Sequence, residues 1–378
     1  MENKLQFDLE NNTLNIEGNF LNDIWFQCFG EIQQTLLKVR DEKIVVHMEK
    51  VVFISPTPIL SLLLTLKKIK EENGCIVEIL LPDDQSFDGK KILNFCSREG
   101  FMEIINSISE KKYSISQANA YNVIGNENFD NVLKAGIYTL KKDSNNIEEI
   151  VNGLIGQING NKLNINKSQK LYITITIRNI LQELIDNVDK HAYEGGNKYV
   201  ALYIRMRYAT DATIRLGRTN NSYEKLPTTT KPDEVYVHNG IELYFQDIGK
   251  GIIKSYREKG KNYPNRPLRE IVKDAFFKEK FENRDNNTPV NGLAFLRKII
   301  QEKNNFFCVY NELEGTGNFG INDKRINVNN INMNDFREKK DSIGIKGQIY
   351  NFTLFDRNYS ASETGDCKSM DELLNSVC

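Results

Sequence analysis

Asn179-Ile-Leu-Gln-Glu-Leu-Ile-Asp-Asn-Val-Asp-Lys-His-Ala-Tyr193 is the stretch on which the reading of the fold turns. Laid on a helix at about 100° per residue from Glu183, Asn187 falls near ~40°, Lys190 near ~340° and Asp186 near ~300°. His191 sits at the border near ~80°, and Leu181, Leu184, Ile185 and Val188 gather between ~100° and ~200°. Glu183, Asn187 and Lys190 therefore share a polar stripe backed by an apolar one that packs on a sheet. A carboxylate, an amide and an ammonium on one wall suit a Mg²⁺–triphosphate. The amide oxygen is a hard metal ligand, the lysine offsets phosphate charge, and the carboxylate orients or deprotonates an attacking nucleophile. The plain alternative is a solvated helix face.

Two later segments add to it. Ile241-Glu-Leu-Tyr-Phe-Gln-Asp-Ile-Gly-Lys-Gly-Ile252 reads as a strand ending in Asp247-x-Gly249-x-Gly251. A buried Asp at a strand end accepts a hydrogen bond from an exocyclic amine, and the glycines let the backbone turn tightly beneath a flat ring. Its alternative is an ordinary glycine turn. Thr288-Pro-Val-Asn-Gly-Leu-Ala-Phe-Leu-Arg297 leads from a polar loop into an apolar helix, whose N-terminus offers N–H groups to phosphate.

In this order the three segments resemble the ATPase superfamily of DNA gyrase, histidine kinases and MutL, the Bergerat (GHKL) fold, over about residues 146–355. Glu183-x-x-x-Asn187-x-x-Lys190-His191-Ala192 matches its N box, Asp247-x-Gly249-x-Gly251 its first glycine box, and Asn291-Gly292-Leu293-Ala294 a worn second glycine box. The resemblance implies an α/β sandwich, a mixed sheet with helices on one face, that takes ATP and Mg²⁺. It makes Asn187 the Mg²⁺ ligand, Asp247 the adenine-reading residue and Glu183 the general base or water orienter. Lys190, His191, Gly249, Gly251, Asn291, Gly292 and Leu293 complete the implied nucleotide site, and residues 252–291 become a lid. The chain departs from the family at Val290, where a glycine is usual, and at Gly347-Gln348, where Gly-Thr is usual.

The first hundred residues alternate strand-like and helix-like runs, which predicts a small α/β sheet layered with helices. Helices are expected over Asp23–Arg40, Ile59–Lys70 and Gly89–Glu99, strands at Thr13–Glu17, Lys43–His47, Val51–Ile54 and Cys75–Leu81, and a short closing run at Phe101–Ile105. Later in the chain a long helical stretch is expected from near Asn146 to about Tyr193, and a helix over Gly292–Glu302. Strands are expected there at Tyr199–Tyr208, Ala212–Leu216, Val235–Val237, Ile241–Gln246, Phe306–Tyr310 and Gly347–Phe355, with a hairpin-like insertion at Arg218–Asp233 and a charged connector at Phe336–Asp341. This unit resembles a STAS domain, the fold of anti-sigma factor antagonists. Ser55-Pro-Thr-Pro-Ile-Leu60 stands where that family carries Asp-Ser-Ser/Thr-Gly, so the acidic residue and the glycine are both missing. Ser55 or Thr57 is then either a phospho-acceptor at a helix start or simply part of a helix entry. The expected division is 1–106 as a STAS-like interaction domain, 107–145 as a connecting segment, 146–355 as the histidine-kinase-like ATPase domain and 356–378 as a tail.

Composition narrows the function classes. The 378 residues carry 50 Lys+Arg against 51 Asp+Glu, and 40% are hydrophobic, enough for a sizeable core. That balance speaks against a nucleic-acid binder or a protein of anionic membranes. The segment Met1 to Glu10 shows no basic-then-apolar signal, and the apolar run Ile59–Leu66 is too short to span a bilayer. The six cysteines are scattered without a CxxC pair, and only three histidines occur, so thiols are expected reduced in a cytoplasmic protein without a multi-histidine metal centre. His47 is expected to be a structural strand residue and His238 a turn residue. The expected function is a cytosolic ATP–Mg²⁺-binding regulator that hydrolyses ATP slowly or transfers a phosphoryl group to Ser/Thr. It would act on a protein partner or a second copy through its first domain. The alternative is a non-catalytic, nucleotide-gated scaffold.

Overall fold

The computed structural model describes residues 3–20, 22–114, 132–140, 167–192, 196–207, 240–259, 266–277, 306–313, 317–323, 336–339 and 347–355, with single helical residues at 152, 293 and 296. The first unit runs β1 (Lys4–Asp8), β2 (Thr13–Phe20), α1 (Asn22–Leu36), β3 (Lys43–Ile54), α2 (Pro56–Asn73), β4 (Ile76–Leu80), α3 (Phe87–Glu99) and α4 (Phe101–Ile108). Its sheet has the order β1-β2-β3-β4, antiparallel at β1/β2 and parallel at β2/β3 and β3/β4. Strict alternation in β2 sends Leu14, Ile16 and Phe20 into the core and Asn15, Glu17 and Asn19 away from it. The two runs expected around Glu49 are one strand, β3.

The run Phe101–Ile105, expected to close the unit, belongs to helix α4. Phe101, Met102, Ile104, Ile105 and Ile108 are all buried, a spacing that fits one face of a helix. Gly100, at φ +84, makes the sharp left-handed break between α3 and α4. The open edge of β4 is closed by the segment after α4. Glu110 N–H donates to Val77 O, Ile79 N–H to Ser109 Oγ, and Tyr113 Oη bonds both Ile79 O and Leu81 N–H, all within 2.8–2.9 Å.

The second unit contains β5 (Val132–Leu140), α5 (Lys167–Asn187), a π-helix (Val188–Ala192), β6 (Lys198–Arg207), β7 (Gly240–Asp247), α6 (Gly251–Lys259), α7 (Leu268–Phe277), β8 (Phe306–Leu313), β9 (Gly317–Asp323), β10 (Phe336–Lys339) and β11 (Gln348–Phe355). Its seven described strands are ordered β10-β9-β8-β11-β7-β6-β5. Every described pairing is antiparallel, so the mixed sheet expected from the resemblance is not what these strands form. Two stretches read as connectors are edge strands instead. Val132–Leu140 pairs with β6, and Phe336–Lys339 pairs with β9. The helix expected to begin near residue 146 is described from Lys167, apart from residue 152. The expected strands Ala212–Leu216 and Val235–Val237, the hairpin at 218–233, His238 and the tail beyond residue 355 lie outside the described residues.

Helices were expected on one face of this sheet, yet both faces are covered. Tyr199, Ala201, Tyr203, Tyr244 and Ile349 belong to the same buried cluster as the core of the first unit. Their neighbours Val200, Leu202, Ile204, Leu243, Phe245 and Tyr350 alternate to the opposite face and are buried too. Helix α2 packs on β6, and α3 and α4 pack on β5. Tyr203 Oη donates to Glu99 at 2.7 Å and its ring stacks on Phe101 at 5.8 Å, while the Lys68 ammonium lies 5.0 Å from the centroid of the Tyr199 ring. Every residue from Thr57 to Leu66 is buried, as expected of a helix with sheet on two sides. Burial also withdraws Thr57 from the phospho-acceptor reading, whereas Ser55, the N-cap of α2, is half-buried. His47 is not a core residue: it lies on the outward face of β3, with Nδ1 3.1 Å from Glu49. No helix among the described residues is long and apolar enough to cross a membrane.

Candidate functional site

Asp247 is the last residue of β7, on the face opposite the first unit. Antiparallel register sets Val200 on one side of it and Gln348 on the other. The carboxylate is 4% exposed, and its Oδ1 accepts the Gly249 N–H at 2.7 Å. Burial pushes its pKa up to about 7, and the Gly249 hydrogen bond opposes the rise only in part. Tyr350, two residues along β11 from Gln348, is held well above the usual phenol range by burial first, then by the charges of Asp247 and Tyr256. The two glycines of the motif shape the turn after β7. Gly249 supplies the amide and Gly251, at φ +73, opens α6.

Gly347 is the residue on which this corner closes. At φ +97 it occupies the left-handed region, and a Cβ built there would stand 2.0 Å from the Asp247 carbonyl oxygen. The corner is tight enough that only glycine fits behind Asp247.

Glu183 and Asn187 lie on the last turns of α5, both partly buried. Burial raises the Glu183 pKa, Asp186 adds to the rise, and Lys190 opposes it. Among the described residues the buried Nδ2 of Asn187 has no hydrogen-bond partner. Lys190 does not follow the helical spacing assumed for it, because the chain widens into the π-helix directly after Asn187. Its Nζ instead lies 3.1 Å from Asp186 Oδ2, with the side chain 61% exposed. Asp186 also accepts from Gln182 Nε2 at 2.9 Å.

The π-helix adjoins both β6 and α6, so the end of the Glu183/Asn187 helix lies beside the helix that the Asp247 motif opens. Lys198, which the sequence reading passed over, joins them. Its Nζ donates to the Asp189 backbone O at 2.7 Å and to Asp189 Oδ1 at 2.5 Å. The side chain of His191, together with Asn291 and Gly292, lies outside the described residues. Leu293 is helical and 6% exposed, an apolar side chain turned inward.

Among the described residues no group of three or more His, Cys, Asp or Glu could hold a metal. The Asn187 amide nevertheless fits Mg²⁺, which keeps most of its waters and takes phosphate oxygens, so that one protein ligand suffices. Which amide atom is oxygen follows from hydrogen bonding, and the unpartnered buried end leaves this amide free to serve a ligand. Sequence alone had no means of finding Lys198 or the constraint on Gly347. Lys198 falls in no motif, and the clash behind Gly347 exists only once β11 lies against β7.

Comparison with known proteins finds no matching family model, no matching curated protein and no matching solved structure.

Proposed function

We propose that this chain is a cytosolic ATP–Mg²⁺-binding regulator. In this reading a histidine-kinase-like ATPase unit of the gyrase, histidine kinase and MutL type is built against a STAS-like first unit. The observation that carries it is Asp247, a carboxylate buried at a strand end, hydrogen-bonded to the amide of its own glycine turn and followed by a helix that packs against the π-helix after Asn187. An acceptor in that setting suits the exocyclic amine of adenine, because burying a carboxylate is costly and a further donor offsets that cost. Asn187 and Lys190 would face the metal and the phosphates. Mg²⁺, when bound, neutralises charge developing on the transferred phosphoryl group. Glu183, its proton affinity raised by burial, is suited to accept a proton from water or from a Ser/Thr hydroxyl.

Following the γ-phosphate of labelled ATP–Mg²⁺ in wild type beside Glu183→Ala tests the reading. Release to water or transfer to protein that disappears in the variant supports an enzyme, and the product separates hydrolysis from kinase activity. Absence of any ATP-dependent thermal shift in the wild type sinks it. The non-catalytic scaffold is favoured by Gln348, a buried amide in register with Asp247 where the resembling family carries the smaller threonine. Binding without turnover in both proteins would select it. A protein partner or second copy has to approach surfaces other than α2, which the chain itself covers.

A further inference from the structure

We infer that Lys198 is a positioning residue for the metal–phosphate half of the candidate site, an inference that rests on the nucleotide-binding reading above. Helix α5 does not end as an α-helix. Directly after Asn187 the backbone widens into a five-residue π-helix, Val188–Ala192, the segment that carries Lys190. A π turn is costly in isolation, because its hydrogen bonds are less well aligned with the helix and its wider bore packs poorly, so it persists where something outside the helix holds it. Lys198 supplies that hold. It is 9% exposed, at the start of β6, and two of its three ammonium donors go to one residue of the π-helix, to the backbone O of Asp189 at 2.7 Å and to its carboxylate at 2.5 Å.

The placement of Lys198 gives this clasp a functional direction. Val200 is paired with Asp247 across β6 and β7, and Lys198, two positions earlier, shares its face of the sheet. One lysine thus ties the turn after Asn187 to the strand that flanks Asp247. Asp189 itself has nothing further to do with the ligand in this scheme. Its charge keeps the buried ammonium paired, and the ammonium keeps the π turn wound. Loss of the clasp lets the π-helix relax toward α geometry. Such a change re-aims Asn187 and Lys190 and leaves the Asp247 corner, which is fixed by β-sheet register and by Gly347, in place.

The prediction is a split between two ligands, measured by calorimetry on the full chain. Lys198→Met, which keeps the stem and deletes the charge, weakens Mg²⁺–ATP by about tenfold or more, as loss of an orienting outer contact commonly does. Adenosine, which needs only the Asp247 corner, changes by less than about twofold in the same variant. Amide exchange over residues 187–192 becomes faster in Lys198→Met without nucleotide. If that variant does not fold, Asp189→Asn, which keeps shape and removes charge, gives the same split more weakly. Equal losses for both ligands, or Mg²⁺–ATP affinity unchanged in a folded variant, overturns the inference while leaving the nucleotide reading standing. A wild type that binds neither ligand overturns both, and is told apart because the wild type itself then fails.

Discussion

Asp247 and Gly347 form one corner, and each can be tested alone. Burial raises the folded pKa of Asp247 from the ordinary 3.8 to about 7, so the folded state holds its proton more tightly than the unfolded chain does. The stability this confers is fully present below the unfolded value and is lost as pH rises through the window from about 4 to about 7, by on the order of 4 kcal/mol. Asp247→Asn removes the titration, and urea midpoints across that range should then vary less with pH than in the wild type. A parallel pH profile in the two proteins would mean that the carboxylate is not held as buried as the fold places it. Gly347→Ala combines a left-handed backbone with a Cβ that would lie 2.0 Å from the Asp247 carbonyl oxygen. We expect it to destabilise by about 3 kcal/mol or more in chemical denaturation, far above the cost of an ordinary surface substitution. The acidic half of this corner was legible in the sequence, because Asp-x-Gly-x-Gly at the end of an apolar run is a local pattern. The need for glycine at 347 was not, because it arises from the approach of β11 to β7, strands separated by about a hundred residues of chain.

Elements were legible where their periodicity was local and strong. Helices α1, α2 and α3 and strands β2, β4, β6, β7, β8 and β11 lie within a few residues of their expected places, since burial on one face imposes a period of two or of 3.6. Elements whose side chains carry little apolar signal were missed. Strand β10 (Phe-Arg-Glu-Lys) reads as charged, and strandedness there comes from backbone pairing with β9 at the edge of a sheet. The π-helix was missed for another reason, since it is imposed from outside by Lys198 and helix propensity does not report it. Strand β4 shows how an edge is handled when its sequence, Ile-Val-Glu-Ile-Leu, would readily recruit another strand. Ser109, Glu110 and Tyr113 occupy its free donors and acceptors. Removing two of these partners together, in Ser109→Ala with Tyr113→Phe, should cost about 1–3 kcal/mol per group left unpaired. Concentration-dependent self-association should accompany that loss, read by light scattering. A double variant that stays monomeric and loses less than about 0.5 kcal/mol would show that the cap is ornamental.

The expectation of an interaction domain linked to an ATPase domain treated the two units as separable, and the packing argues that they are not. Helix α2 lies between its own sheet and β6, and Tyr199, Ala201, Tyr203, Tyr244, Ile248 and Ile349 share the core of the first unit. Exposing mainly large side chains of this kind costs about 1.5–3 kcal/mol apiece, a sum on the order of 10 kcal/mol that matches the entire stability of many domains. Polar contacts fix the register of docking as well. Ser61 Oγ donates to Gln246 Oε1 at 2.5 Å and lies 3.0 Å from the Tyr244 hydroxyl, all of it buried, and Thr65 passes the chain of hydrogen bonds on to Gln33 in α1. Gln246 directly precedes Asp247, so the strand that presents the candidate adenine-reading residue is clamped on its other face by a helix of the first unit. Sequence could not announce this, because a helix buried all round and a helix buried on one side of a sheet both read as apolar runs. Two consequences follow for the whole molecule. Calorimetry of the full chain should give one transition, which ATP–Mg²⁺ moves as a whole. A fragment of residues 1–114, stripped of the second sheet, should expose α2, bind a hydrophobic dye and aggregate. Two resolved transitions, only the later of them shifted by nucleotide, together with a monomeric and cooperatively folded fragment, would instead restore the picture of two modules. The first unit would then report to the site only through the chain that joins them.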